Sequence, residues 1–258
     1  VFFIFKRRQF GAFSFALNKS YVYFCLKIKV RMMKINPFQA IRPTRDKAYL
    51  VASRSYLSYS ETTLREKLLN NPYTFLHIIN PEYSLDSPIL HGLEKYKLVR
   101  QKYLNYRDDG TFIKDEKPYF YIYQQVTPEN TYTGIIVAAS IDDYLNGNIK
   151  VHEHTISKRE VMFSDYLEYT GFNAEPVLLT YPKLPRVNQI INAYIKERPE
   201  YEFTSTNKVL HNLWLIEKEV DIKEIQSLFL NVDSVYIADG HHRSASSALY
   251  CNLKRKQL

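Results

Sequence analysis

The run Val235-Tyr236-Ile237-Ala238-Asp239-Gly240-His241-His242-Arg243-Ser244-Ala245-Ser246-Ser247 reads as a strand, a tight turn and the start of a helix. The short apolar strand stops at Asp239, and Gly240 lets the backbone come close to a ligand. The first N–H groups of the helix have no intrahelical partner and carry partial positive charge, which, beside Arg243, His241 and His242, favours a phosphate. Basic side chains normally favour helix C-termini, so an arginine and two histidines at the positive end require a balancing anion. Two other readings compete: a solvated basic helix start, or a metal site. Adjacent histidines diverge by about 100° on a helix and point to opposite faces of a strand, which counts against their sharing one ion.

Upstream, the same alternation of short apolar runs and helical stretches predicts an α+β fold, a mixed sheet with flanking helices. Asn36 to Pro43 is extended and punctuated by proline, an N-terminal arm on the body. Ser58 and Glu61 form a capping-box pattern for a helix through Leu64, Leu68 and Leu69, and Phe75 to Ile79 reads as a buried strand. Ser87-Pro88 opens a longer helix with Val99 and Tyr103 on its apolar stripe. Tyr119 to Val126 and Tyr132 to Ala139 make a hairpin, and Ile141 to Leu145 a short helix. Past Ile149 come a helix capped by Ser157 and Glu160 that ends near Gly171, a strand at Glu175 to Tyr181, and helices at Ile190 to Lys196 and Ile222 to Leu230. The last two flank a strand at Val209 to Ile216. The domain reading is 32–148 as an N-terminal α+β region and 149–258 as a phosphate-binding region.

Composition narrows the function class. Seven of the eight net positive charges come from residues 1 to 31, whose Lys6, Arg7, Arg8, Lys19, Lys27, Lys29 and Arg31 stand without an acid. Without them 28 basic face 27 acidic side chains, which argues against a nucleic-acid partner. The same leader is too interrupted by charge to span a membrane. It precedes the first methionines, Met32 and Met33, and reads as non-native or disordered sequence upstream of the real start. Two cysteines, Cys25 and Cys251, leave no disulfide framework, which fits a reducing cytoplasm. The last helix stops soon after Arg243, so the chain reads as a piece of a longer protein. The oligomeric state is not legible.

His152-Glu153-His154 forms a second constellation, just before a helix. Extended backbone turns His152 and His154 one way and Glu153 the other, so a two-histidine metal site lacks a third ligand. Read plainly, the segment is a polar loop capped by Thr155; read chemically, it supplies a base and charge stabilisation for phosphoryl transfer.

These motifs together carry a resemblance. Asn36-Pro37-Phe38 with Arg42-Pro43, Asn71-Pro72, Thr133-Gly134, Ala139 to Tyr144, Ile149-Lys150 with His152 to Thr155, Glu175-Pro176-Val177 and Tyr236 to Ser244 resemble the domain of unknown function 1015 family over residues 33 to 250. More remotely, Lys150 to Glu153, Pro176 to Leu179 and Asp239 to Arg243 look like the core of ParB/sulfiredoxin-type free-serine kinases, and so imply a core of that kind in the second half. The chain departs from that pattern by inserting a helix, a strand and a helix between Tyr181 and Val235.

The expectation is a cytoplasmic phosphotransferase acting on a small hydroxyl substrate, with free L-serine as the acceptor that the second resemblance suggests. Asp239, Gly240, His241, His242, Arg243 and Ser244 would bind the phosphates of an adenine nucleotide, ATP or ADP. Arg243 would offset charge on the transferred group, Glu153 would orient or deprotonate the acceptor, and His152 would assist. Mg²⁺ would be held by Asp239 or Asp142, between which spacing does not choose. The rival is a nucleotide-binding regulatory module without catalysis, because the same turn serves both.

Overall fold

The computed structural model describes residues 2–6, 32–55, 58–84 and 91–257. The chain starts with β1 (Phe2–Lys6), β2 (Ile35–Asn36) and β3 (Ile41–Pro43), then α1 (Ala48–Val51), α2 (Glu61–Asn70), α3 (Leu76–Ile79) and α4 (Gly92–Asp108). The middle holds β4 (Phe112–Lys114), the hairpin β5 (Phe120–Val126) and β6 (Thr131–Ala139), α5 (Ile141–Leu145), β7 (Ile149–Lys150), α6 (Ser157–Thr170) and β8 (Val177–Tyr181). The rest is α7 (Pro185–Tyr194), β9 (Tyr201–Thr204), β10 (Leu210–Ile216), α8 (Glu219–Leu230), β11 (Val235–Asp239) and α9 (His241–Arg255).

One mixed sheet runs β7-β11-β8-β1-β6-β5-β10-β9, with β2 added on β6, and β3 pairs with β4 apart from it. Alternation along the strands sends Val177, Leu179 and Tyr181 of β8 and Trp214 and Ile216 of β10 into one core. Val187 and Ile190 of α7 and Ile225 and Phe229 of α8 cover that core. Phe229 is fully buried with its ring 5.1 Å from that of Tyr181, so truncating it to alanine should cost about 3–5 kcal/mol. Helices α6 and α9 lie side by side, and α9 also touches β8. No helix of the described residues is long and apolar enough to cross a membrane.

The α+β class and the hairpin match the sequence reading, and four details differ. Phe75 to Ile79 was expected as a strand, yet Leu76–Ile79 is a helical turn. It is wedged between two clusters, with Leu76 packed on Leu64 and Leu68 and Ile78 on Val99 and Tyr103. A short run that is apolar all round carries no period to separate helix from strand. The α2 cap is Ser60, whose hydroxyl accepts from the Thr63 N–H at 3.2 Å, rather than Ser58. The expected Ser157 cap of α6 is absent: Ser157 is the first helical residue, Ile156 stands at the N-cap without a side-chain bond, and Glu160 accepts instead from the Thr155 hydroxyl.

The fourth difference concerns residues 1 to 31, expected outside the fold. Phe2–Lys6 is strand β1, antiparallel to β6 with Phe2 opposite Val137 and parallel to β8 with Phe2 opposite Val177. An apolar run inserted there pairs the edges of both neighbours. Residues 7 to 31 lie outside the described residues, as does the expected Ser87-Pro88 start of α4.

Candidate functional site

Strands β7 and β11 run parallel, with Ile149 opposite Val235 and Lys150 opposite Tyr236. Each is followed within a few residues by one of the two constellations, so the pairing alone brings both to the same end of the sheet. Ligands of α/β sheets collect beyond the C-terminal ends of strands, and this is such a place. Between Ile237 and Asp239 the register of β11 against β8 slips, a bulge that re-aims the last strand residue.

Gly240 sits at φ 97°, in the left-handed region, and makes the turn from β11 into α9. A Cβ placed there would stand 3.1–3.2 Å from the Arg243 guanidinium, which lies folded over the turn. Any other residue at 240 would meet both a strained backbone and that side chain. The first helical N–H to bond back is that of Ser244, to the Gly240 carbonyl at 3.0 Å, which leaves the preceding ones without an intrahelical partner.

Two segments 88 residues apart meet at this turn. The Glu153 Oε2 atom lies 3.3 Å from His241 Nδ1, and the His152 ring stands edge-on to that of His241 with centroids 4.4 Å apart. The ligand atoms of His152, Glu153 and His241 all fall within 4.8 Å of one another, the group among the described residues that could hold a divalent ion. This differs from the expected His152 and His154 pair with Glu153 turned away: the chain bends at Glu153, so His152 and Glu153 converge together on His241. His154 is exposed and stays outside this convergence.

His241 is 5% exposed, and burial pushes its imidazole below the ordinary histidine range, against the opposing pull of the Glu153 carboxylate. In a neutral ring whose proton sits on Nδ1, the nitrogen facing Glu153 at 3.3 Å, Nε2 is an acceptor. That atom is buried with no hydrogen-bond partner, and His242 Nδ1 is in the same condition. A buried polar atom left without any partner costs about 1–3 kcal/mol, so these two nitrogens are open to a water or a ligand.

Arg243 is occupied. It contacts Asp239 at 2.5 Å, donates to the Pro176 carbonyl at 2.6 Å and lies 3.3 Å from Glu175. The balancing anion required by the sequence argument is therefore supplied, in this state, by the chain itself. Two carboxylates, Asp239 and Glu175, contact the guanidinium and a third, Glu153, sits at His241; all three are largely exposed. The Ser244 hydroxyl is buried and turned back on the Gly240 carbonyl, so this residue offers a ligand only its backbone. Asp142 is clamped by both guanidinium nitrogens of Arg255, twelve residues beyond Arg243 and so about 18 Å along α9. It cannot share an ion with the turn.

Arg243 also lines a cavity of about 260 Å³ between α6, α9 and the segment 172–175. A larger cavity, about 730 Å³, lies near α2 and β10, among Tyr59, Lys67, Tyr123, Phe203 and His211. It contains none of the candidate site residues of the sequence reading. Glu175 and the small cavity escaped the sequence reading as site features; the Glu175-Pro176 box was visible only as part of a motif.

Over residues 35–258 the chain matches the family model described as "Protein of unknown function (DUF1015)", and it belongs to that family. No curated protein and no solved structure matches it.

Proposed function

We propose that this DUF1015 protein is a nucleotide-dependent phosphotransferase acting on a small hydroxyl compound, with the reacting groups at the joint ends of β7 and β11. The observation that carries the reading is the 3.3 Å approach of Glu153 to His241, which sets a carboxylate beside an anion-suited helix start. The order β7, α6, β8, β11, α9 runs through the boxes that resemble ParB/sulfiredoxin-type free-serine kinases, with α7, β9, β10 and α8 inserted. L-serine is accordingly the first acceptor to test.

Each residue has a task in this scheme. The N–H groups after Gly240 bind phosphate oxygens, and Arg243 exchanges Asp239 and Glu175 for the group being transferred. Glu153, solvent-facing and within reach of the turn, takes the proton of the acceptor hydroxyl. His241 holds that carboxylate in place through Nδ1, and His152 closes the other side of the ring. Asp239 and Glu175 at Arg243, with Glu153 at His241, repel a bare polyphosphate, so the nucleotide binds as its Mg²⁺ complex. Mg²⁺ favours one or two carboxylates plus phosphate oxygens, which Asp239 and Glu175 suit; the two histidines suit a softer ion.

A second reading is a nucleotide-binding module without transfer. It is favoured by Glu153 being 65% exposed, since a catalytic base is usually drawn out of water. The test is incubation of the full chain with labelled ATP or ADP, Mg²⁺ and a panel of hydroxyl compounds headed by L-serine. Label should appear on an acceptor with the parent protein and vanish with Glu153→Gln. Nucleotide binding with no transfer to any acceptor establishes the second reading instead.

A further inference from the structure

We infer that the cavity between α6, α9 and the segment 172–175 takes the purine base of the nucleotide whose phosphates reach the Gly240 turn, an assignment that rests on the phosphotransferase reading. At about 260 Å³ the cavity is below the roughly 300–1,000 Å³ of pockets that enclose whole drug-sized ligands. It has room for one flat ring system, not for a whole nucleotide. Its walls are Phe163, Tyr166, Leu167 and Phe172. Tyr166 and Phe172 meet edge to face, centroids 6.3 Å apart at 72°, and Phe172 is itself stacked on Tyr103 at 4.4 Å, so the cavity offers a base fixed aromatic and apolar contact on its walls.

Ser246 supplies a polar edge. It is buried, and its hydroxyl donates to the Arg243 carbonyl at 3.0 Å, which leaves its oxygen lone pairs for an exocyclic amino group. Arg243 belongs to both places, lining the cavity and lying over Gly240. Ser246 is six residues past Gly240, about 9 Å along α9. A ligand with a flat apolar end and a polyanionic end, separated by a sugar, spans that distance. The larger cavity has no residue of the turn in its lining.

Calorimetry on the full chain with Mg²⁺ tests this, comparing ATP with inorganic tripolyphosphate, which has no base. The parent should bind ATP at least about tenfold more tightly than tripolyphosphate. Leu167→Trp fills the cavity at a residue outside the core clusters. It should remove that preference and leave tripolyphosphate affinity unchanged. Should the tryptophan variant fail to fold, Phe163→Ala should weaken ATP alone by stripping a wall. Unchanged ATP affinity in a folded variant, or equal affinity of the parent for ATP and tripolyphosphate, overturns the base site while leaving the phosphate turn intact. A parent that binds neither compound overturns the turn itself, and the base site with it.

Discussion

Two arginines of this chain are surrounded by carboxylates and do different work. Arg42, 13% exposed, donates to Asp115 at 2.8 Å, to Glu200 at 2.7 Å and to the Tyr201 hydroxyl at 2.6 Å. Asp115 also accepts from the Tyr121 hydroxyl at 2.6 Å. Burial opposes the charge on Arg42, yet Tyr201, Glu200 and Asp115 together hold its guanidinium above the ordinary range. Burial likewise pushes the Tyr201 phenol up to about 12. Here each partner is fixed and the network fastens β3 to β9 and to the loop after β4. Around Arg243 the carboxylates are exposed, and two buried imidazole nitrogens nearby have no partner. The buried partners of Arg42 fasten the fold, whereas the exposed carboxylates at Arg243 can exchange partners.

The sharpest way to break this contrast is at Arg42. Arg42→Ala leaves Asp115 buried without its counter-charge, and unfolding in urea should show a loss of about 3–5 kcal/mol with nucleotide affinity unaltered in the folded fraction. A loss below about 1 kcal/mol would remove the distinction drawn here. Glu153→Gln should do the reverse, lowering single-turnover transfer by roughly 100-fold while urea midpoint and nucleotide affinity stay at the parental level. Transfer at the parental rate would strip Glu153 of its role.

Arg243→Ala should weaken nucleotide binding by about 1.5–3 kcal/mol, roughly ten- to a hundredfold in Kd, with little change in urea midpoint. Calorimetry decides it; a variant that unfolds readily but binds normally would place Arg243 with Arg42 as a structural residue. The smallest effect is the pH dependence of stability. His241 has a folded pKa below its ordinary 6.5, and so do His77 and His211, each mainly through burial. The native state then holds fewer protons than the unfolded one. Their contribution is complete above about pH 6.5 and is lost as pH falls through that value and on below the folded pKa. The urea midpoint should drop between about pH 7.5 and pH 5.5, less steeply in His241→Asn; a midpoint that rises on acidification contradicts a neutral buried ring.

Much of the site could be read before any geometry was known. Gly240 between an apolar strand and a helix start carries its own explanation, and so does Gly171 at φ 75° closing α6. What escaped were features made by neighbours distant in sequence. Glu175 at Arg243, the orphaned Nε2 of His241 and the aromatic cavity depend on how α6, α9 and β8 stack. The helical turn Leu76–Ile79 escaped for a related reason, since only the two clusters on either side of it choose helix over strand.

From the sequence by itself came most of the elements, the glycine turns at Gly171 and Gly240, the anion-suited end of α9 and the kinship with one family, because each rests on a few adjacent residues. Only the tertiary structure decided that Glu153 meets His241, that Arg243 is already charge-balanced and that Asp142 is out of reach of the turn. Those facts follow from the parallel pairing of β7 with β11 and from the length of α9. Register between strands 86 residues apart is set by burying the whole core at once, and no local stretch encodes it.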